Sequence, residues 1–472
     1  MRRALMSRLV LVSALLLAAG CTSLAPSYER PALPVPAALP AVAASGVETT
    51  STVLAWRSFI LDESLRRVVQ LALDRNRDLR VAVLNVERSR AQLGLAQADR
   101  WPTISAGLTG SRSPSLVNGK QTTLLTAGLQ VTNWEVDLFG RLASLDDAAR
   151  AQLLASEAGR RSAELSLIAQ VATTWLTLQA DGEQLRAAER ALQTREQTRQ
   201  LTQLKAQAGA ATELERQTAD SLAAAARVSW VQATRQRNLD LNALTLLAGG
   251  AVPDDLLPPL PAPQAEPATT AAATAPEALA AVPAGLGSEV LLRRPDVIQA
   301  EQALIAANAN IGAARSGYFP RITLTASAGQ ASQVLNELFL PGHFAWTLSS
   351  QAMVALFDAG RTRANVDAAQ IGREVAVAQY ERAVQGSFRE TADALAGLSS
   401  WREQIEAQQL QWQASREIAR LTELRYARGA ASELERLDAQ RSLLAAEQAL
   451  TQTRLAEQLN RLALWKALGG GD

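Results

Sequence analysis

Acidic side chains follow the same short glycine motif twice in this chain. Residues 209–216 read GAATELER, and residues 429–436 read GAASELER. The second copy is followed by Asp438, one helical turn after Leu434, where the first copy has Thr218. Clustered carboxylates could create a local negative potential, or they could be the acids that the positive end of a helix dipole favours.

The chain offers little material for catalysis. His343 is the only histidine and Cys21 the only cysteine, so the sequence contains no His cluster for a metal. Most carboxylates share helix faces with arginines at i, i+4 spacing, and neither a phosphate-binding glycine loop nor a nucleophile elbow is present. We therefore expect no enzyme and no metal, and the formal net charge of +1 gives no reason to expect a nucleic-acid partner.

Cys21 stands at the end of a targeting segment. Three arginines within the first eight residues precede a short apolar run, Leu9–Ala19. Leu17–Cys21 resembles a bacterial lipobox, so we expect removal of residues 1–20 and a diacylglycerol and an N-acyl chain on Cys21, with no other cofactor. A signal peptide followed by a structural cysteine is the alternative. Thr22 replaces the aspartate that often retains lipoproteins at the inner membrane, which favours the outer membrane.

The glycine motif belongs to an internal duplication that covers most of the chain. Gly140-Arg141 matches Gly360-Arg361, and further upstream Trp101-Pro102 matches Phe319-Pro320. Two copies of one architecture suit a pseudo-symmetric tube or bundle better than one asymmetric catalytic site. The chain is accordingly divided into a signal peptide (1–20), an N-terminal tether (21–60), repeat 1 (61–250), a Pro/Ala-rich linker (251–287) and repeat 2 (288–472).

Long helices dominate both repeats. No proline interrupts residues 142–208 or 362–428, and at ~1.5 Å per residue each such helix would extend on the order of 100 Å. Each is expected to turn at Gly209 or Gly429 and to reverse into a shorter helix. A further helix, about 78–100 or 296–318, precedes each strand pair. Stacked end to end with the shorter returning helix, it would match the length of the long helix. This pattern indicates a coiled-coil cylinder.

Between these helices the pattern changes to a period of two. In one segment Leu125, Ala127 and Leu129 alternate with small polar residues, and no charge interrupts either face. This is the pattern of membrane-barrel strands, although a soluble sheet half packed on a core is the alternative. Four strands cannot close a barrel, so several chains would have to share one. The strands are expected at about 103–112, 121–134, 321–331 and 343–357.

These motifs resemble the outer membrane factor family, the TolC-like ducts of tripartite efflux systems, and within it the NodT-type lipoproteins. The resemblance implies a mainly α fold with a transmembrane β-barrel. A homotrimer would contribute four strands per chain to a 12-stranded barrel and would form a long periplasmic coiled-coil α-barrel. The residues that carry it are Leu17–Cys21, 76–80 (NRDLR), 85–87 (NVE), 293–297 (RRPDV), 311–320 and 437–441 (LDAQR).

The resemblance also implies a function. The chain would be the passive exit duct of a tripartite efflux pump in the outer membrane of a Gram-negative bacterium, surrounded by outer-membrane lipid. Its partners would be a periplasmic adaptor and an inner-membrane pump, expected to be of the RND type. A type I protein-secretion duct and a lipid-anchored periplasmic scaffold without a pore are the alternatives. The sequence does not reveal the substrate.

The family's constriction positions fall on Leu434 and Asp438, with Glu435 beside them. Three copies of an acid on a trimer axis would favour cations, and Leu434 could form the apolar part of the closure. The alternative is that Glu433 and Glu435 are helix N-terminal acids.

The two glycine turns are also where an adaptor is expected to dock, because small residues allow another helical hairpin to approach closely. The alternative is that glycine is needed only for a left-handed cap, and both roles are compatible. The expected contact residues are Gly209, Ala210, Ala211, Gly429, Ala430 and Ala431.

Overall fold

The computed structural model describes residues 23–36, 54–114, 119, 121–260, 278–282 and 288–471. The predicted signal peptide, Cys21 and most of the Pro/Ala-rich linker therefore lie outside the described residues. The described helices are α1 (Trp56–Phe59), α2 (Glu63–Arg75), α3 (Arg77–Ala98), α4 (Arg141–Gln207), α5 (Glu213–Leu247), α6 (Pro295–Arg315), α7 (Arg361–Ala427) and α8 (Glu433–Ala467). The strands are β1 (Ile104–Pro114), β2 (Gln121–Glu135), β3 (Arg321–Ser332) and β4 (Phe344–Met353).

The two longest helices, α4 and α7, each contain 67 residues. They are rich in Ala, Leu, Glu, Gln and Arg, which have high helix propensity, and no proline interrupts them. An aspartate caps each start: Asp137 accepts from the backbone N–H of Arg141 at 2.7 Å, and Asp358 accepts from that of Thr362 at 2.8 Å. No helix in the described ranges combines the length and apolar character needed to cross a membrane.

The four strands form one antiparallel sheet in the order β1-β2-β3-β4. The β2–β3 pairing joins the two repeats. Gly128 and Gly329 face each other there, and a Cβ on either would collide with the backbone of the opposite strand. The outer edges of β1 and β4 have no partner strand within the described chain.

The register gives the sheet two different faces, as the alternating pattern predicts. On one face an apolar row runs across the four strands, and on the other face a polar row does so. Pairs of hydroxyl groups reinforce the polar face, with Thr109 and Thr126 Oγ1 atoms 2.6 Å apart and Ser327 Oγ 2.7 Å from Thr347 Oγ1. The apolar row is Ala106, Leu129, Ala328 and Trp346, and the polar row is Ser105, Gln130, Ser327 and Thr347.

Strand β4 ends earlier than the pattern suggested. It was expected to reach residue 357 but stops at Met353, which pairs with Arg321, the first residue of β3. Beyond this point the neighbouring strand offers no further backbone partner, so regular pairing ends. Leu356 and Phe357 are then 94% and 91% exposed.

The chain divides into two compact units that differ from the sequence repeats. The first comprises Met1–Ala32, Leu84–Ala158 and Ile298–Arg382, and it contains the sheet. The second comprises Leu33–Val83, Gly159–Val297 and Ala383–Asp472. Each unit draws on both repeats, because matching parts of the two copies pack together.

The core of the second unit is apolar and gathers around two tryptophans. Trp465 stacks on Phe59 with ring centroids 4.9 Å apart, and its Nε1 donates to the carbonyl of Leu54 at 2.8 Å. Trp175 Nε1 donates to the carbonyl of Leu256 at 3.1 Å. The described part of the linker is tied into this core, since Leu279 is buried and forms a β-bridge with Ile60. The composition of this segment predicted only a Pro/Ala-rich linker, and Leu256, Ala278 and Leu279 of it are buried.

Candidate functional site

Both glycine turns have the same backbone geometry. Gly209 and Gly429 have φ angles of +73° and +71°, in the left-handed region that favours glycine. The next residue closes each helix end, with Ala210 N donating to the carbonyl of Lys205 at 2.7 Å and Ala430 N to that of Arg425 at 2.8 Å. Among the described residues no atom lies within 4 Å of a Cβ built on either glycine, so backbone conformation alone requires glycine there.

A capping box begins the returning helix at each turn. Thr212 Oγ1 accepts from the backbone N–H of Glu215 at 3.2 Å, and Ser432 Oγ accepts from that of Glu435 at the same distance. In the second turn Glu435 Oε2 in turn accepts from Ser432 N at 2.6 Å. The backbone N–H of Ser432 foremost, and then its hydroxyl, which donates to the same oxygen at 2.9 Å, lower the pKa of the Glu435 carboxyl. The Glu435 side chain therefore caps the helix, the alternative left open for it by the sequence.

Within the described part of the chain, Leu434 and Asp438 have no comparable capping role. The Leu434 side chain is 76% exposed although it is apolar. Asp438 pairs with Arg441 on the same helix at 2.6 Å, and the Asp438 side chain stays 60% exposed. In the first turn Leu214 is equally exposed, but Thr218 binds back to its own helix by donating to the Leu214 carbonyl at 2.8 Å. The structure thus brings the predicted gate residues onto one exposed helix start.

Arg436, for which the sequence predicted no role, lies in a contact between helices. Its guanidinium lies 4.5 Å from the ring centroid of Tyr426 on α7 and donates to Thr198 on α4 at 3.2 Å. It also pairs with Glu433 at 2.6 Å and with Glu423 at 3.5 Å. Arg436 thereby links three helices beside the second turn.

A signal for this contact was present in the sequence. Repeat 1 carries Gln203 and Ala206 where repeat 2 carries Glu423 and Tyr426. At these two positions an acid and an aromatic ring appear only in repeat 2, and both are groups that bind a guanidinium. The duplication therefore distinguishes residues that build the turn from residues that connect it to its surroundings.

The N-terminal segment after Cys21 is docked on α6 in the first unit. Arg30 makes a two-pronged contact with Glu301, at 2.7 and 3.0 Å, and the Tyr28 hydroxyl donates to the same carboxylate at 3.0 Å. Burial, followed by the charge of Glu301, raises the pKa of Tyr28 to about 12. Further on, Asn308 donates to the Pro26 carbonyl at 2.7 Å and Arg315 to the Leu24 carbonyl at 3.2 Å. The segment therefore runs antiparallel to α6.

Within the described ranges, no group of three or more His, Cys, Asp or Glu side chains is arranged to hold a metal ion. The predicted lipidation site, Cys21, lies outside the described residues. The candidate site therefore consists of the two turns and the side chains that surround them.

Comparison with known proteins identifies the family of the chain. The family model described as outer membrane efflux protein matches residues 68–250 and 286–470. The toluene efflux pump outer membrane protein TtgC of Pseudomonas putida is 40% identical over 462 residues, which cover 96% of this chain and 93% of TtgC. The cation efflux system protein CusC of Escherichia coli K12 is 37% identical over 461 residues, 96% of either chain.

A solved structure supports the same conclusion. The open state of the MtrE outer membrane channel of Neisseria gonorrhoeae is similar with a TM-score of 0.82 at 36% identity, over 95% of this chain and 98% of MtrE. Duplicated helical hairpins joined to one two-faced sheet define a class of outer membrane efflux channels, which are not enzymes. The chain belongs to the outer membrane efflux protein family.

Proposed function

We propose that three copies of this chain form the passive exit duct of a tripartite efflux pump. The sheet carries this proposal. Its apolar face suits lipid, its polar face suits a water-filled interior, and β1 and β4 are left with unpaired outer edges within the described chain. Because unpaired backbone groups are too costly in a bilayer, edge pairing between copies would close a 12-stranded barrel.

The partners follow from the same proposal. A periplasmic adaptor would dock at the two turns, where Ala210, Ala211, Ala430 and Ala431 present small side chains beside the left-handed glycines. An inner-membrane pump of the RND type would supply energy and select the cargo. TtgC is named for toluene and CusC for cations, so relatives of similar identity carry different cargo. We accordingly propose small molecules as the class of substrate, without a more specific choice.

The gate of the duct would lie at the second turn. Leu434 is exposed and apolar, and Asp438 is exposed and pairs only with Arg441 among the ion pairs of the described chain. Three copies around an axis would give an apolar ring beside an acidic ring, which restricts the opening and favours cations. Glu435 would add charge near this ring while its carboxylate caps the helix.

Acylation of Cys21 would anchor the duct in the outer-membrane lipid. The docked segment supports this, since Leu24 is held by Arg315 at the end of α6 that leads into β3. Leu24 follows Cys21 by three residues in the chain, and its contact with Arg315 lies at the helix end nearest in sequence to the sheet that we propose lies in the membrane. The intact mass of the mature protein tests this step, since an unmodified cysteine would contradict it.

Single-channel recording in a planar bilayer tests the duct and its gate. We expect a small, cation-preferring conductance from wild type, and a larger or less selective conductance from Asp438→Ala, because the acidic ring is removed. Thr218→Ala is the matched control at the equivalent position of repeat 1 and should behave as wild type. Absence of conductance from a well-folded sample would refute the pore, whereas a pore unaffected by Asp438→Ala would remove only Asp438 from the gate.

A further inference from the structure

Two carboxylic acids meet between the helices of the first hairpin, away from the turn. Asp181 of α4 is only 8% exposed, and its Oδ2 is buried without a hydrogen-bond partner in the described chain. Asp240 of α5 forms a side-chain hydrogen bond with Asp181 when one of the two carboxyl groups carries a proton. Two carboxylates in contact repel each other strongly, so the pair favours a state with one shared proton.

The surroundings offset the repulsion within this pair only in part, since the charge of Arg237 lowers the pKa of Asp181 and Gln236 donates to Asp240 Oδ2 at 3.0 Å. The charged groups that act on Asp181 are Asp240 and Arg237, both on α5, and the buried Nε of Arg237 has no hydrogen-bond partner in the described chain. Burial, followed by the hydrogen bond and charge of Asp240, raises the pKa of Asp181 to about 7. On α4 itself, Glu183 accepts from Thr451 of α8 at 3.0 Å instead of facing this pair.

The second hairpin has no such pair at the equivalent positions. Trp401 stands where repeat 1 has Asp181, and Asn460 stands where it has Asp240. Asn460 donates to the backbone carbonyl of Ala394 at 2.9 Å. Neither residue changes charge in the physiological range, so the chain contains a non-titrating copy of the same helix contact.

We propose that Asp181 and Asp240 form a pH-sensitive latch between α4 and α5, held by a shared proton in mild acid and released at alkaline pH. This switch goes beyond the duct and its gate, since it concerns the first hairpin alone. An acid whose pKa is higher in the folded state binds its proton more tightly there. The contribution of the latch is therefore complete below the ordinary pKa of 3.8 and is lost as the pH rises through about 7.

Hydrogen exchange of the full-length protein in detergent, read by mass spectrometry, tests the latch. Exchange is compared at about pH 5.5 and about pH 8.5, because the shared proton is lost between these values. The exchange times are scaled to correct for the pH dependence of the intrinsic amide exchange rate. Wild-type peptides that contain Asp181 or Asp240 should lose protection several-fold at the higher pH. Peptides that contain Trp401 or Asn460 should not change, and they serve as the control within the same molecule.

Asp240→Asn keeps the size and hydrogen-bonding capacity of the side chain while removing one charge. The loss of protection around Asp181 at the higher pH should then be clearly smaller than in wild type, since the repulsion by Asp240 is removed and burial alone still raises the pKa of Asp181. The latch is refuted if both wild-type hairpins respond equally to pH, or if the response in Asp240→Asn is as large as in wild type. Should this variant fail to assemble, the comparison between the two wild-type hairpins decides the question by itself.

Discussion

The two glycine turns have the same local geometry but differ in their connections. Both have a left-handed glycine and a capping box with matching distances. Arg216 at the first turn pairs with Glu213 and Asp220 of its own helix, whereas Arg436 at the second turn reaches two other helices. Duplication has preserved the residues that build the turn, and a few substitutions around them have tied one copy to its neighbours.

In each repeat, a side chain near the start is hydrogen-bonded to the end of the last helix. Asn76 donates to the carbonyl of Leu247, the last residue of α5, at 2.9 Å. At the equivalent position Arg294 donates to the carbonyl of Ala467, the last residue of α8, at 3.0 Å. Arg294 additionally binds Asp296 at 2.7 Å and Glu390 at 2.8 Å. The same end carbonyl is satisfied in both repeats, once by an amide and once by a cation.

The largest difference is expected from the two turn arginines. Arg436→Ala removes the contacts with Thr198 and Tyr426 that hold α8 against two other helices. We therefore predict a several-fold rise in mean single-channel conductance, since the proposed gate residues stand on the same helix start. Arg216→Ala, the matched control, loses only pairs within its own helix and should leave conductance unchanged. Equal effects of the two substitutions would remove the distinction between the turns.

A moderate difference is expected in stability at the repeat starts. Arg294→Ala should cost about 3 kcal/mol, because a buried guanidinium with charge-assisted hydrogen bonds is lost and the Ala467 carbonyl loses a donor. Asn76→Ala should cost roughly 1–2 kcal/mol. It removes the amide that donates to the Leu247 carbonyl and the side-chain oxygen that accepts from the Leu79 backbone N–H. Thermal unfolding followed by circular dichroism measures both. A larger loss from Asn76→Ala would contradict this order.

The smallest effects should be equal in the two repeats. Gly429→Ala and Gly209→Ala each force a Cβ into a left-handed conformation without a steric clash, which costs roughly 1 kcal/mol. The same thermal unfolding measurement should give matching shifts for the two variants. A clear difference between them would show that something other than backbone conformation requires one of the glycines.

Local signals in the sequence predicted much of this fold. The long helices were expected at 142–208 and 362–428 and span Arg141–Gln207 and Arg361–Ala427. Absence of proline, high helix propensity and a glycine at the end act within a few residues, so no knowledge of packing is needed. The two faces of the sheet follow in the same way from alternation along each strand.

Contacts between distant segments could not be read from the sequence. Strand β4 ends at Met353 because its neighbour begins at Arg321, and Leu279 of the linker is buried because Ile60 pairs with it. Each outcome depends on where a second segment lies.

The sequence by itself determined the duplicated helices, the glycine turns, the strand pattern and the family that these motifs resemble. Tertiary structure decided which of two similar side chains connects to another helix, as with Arg436 and Arg216, and which acid is buried against another, as with Asp181 and Asp240. The physical reason is the distance along the chain over which each kind of interaction acts. Propensity and capping act between neighbours in the chain, whereas burial and charge pairing depend on segments that only folding brings together.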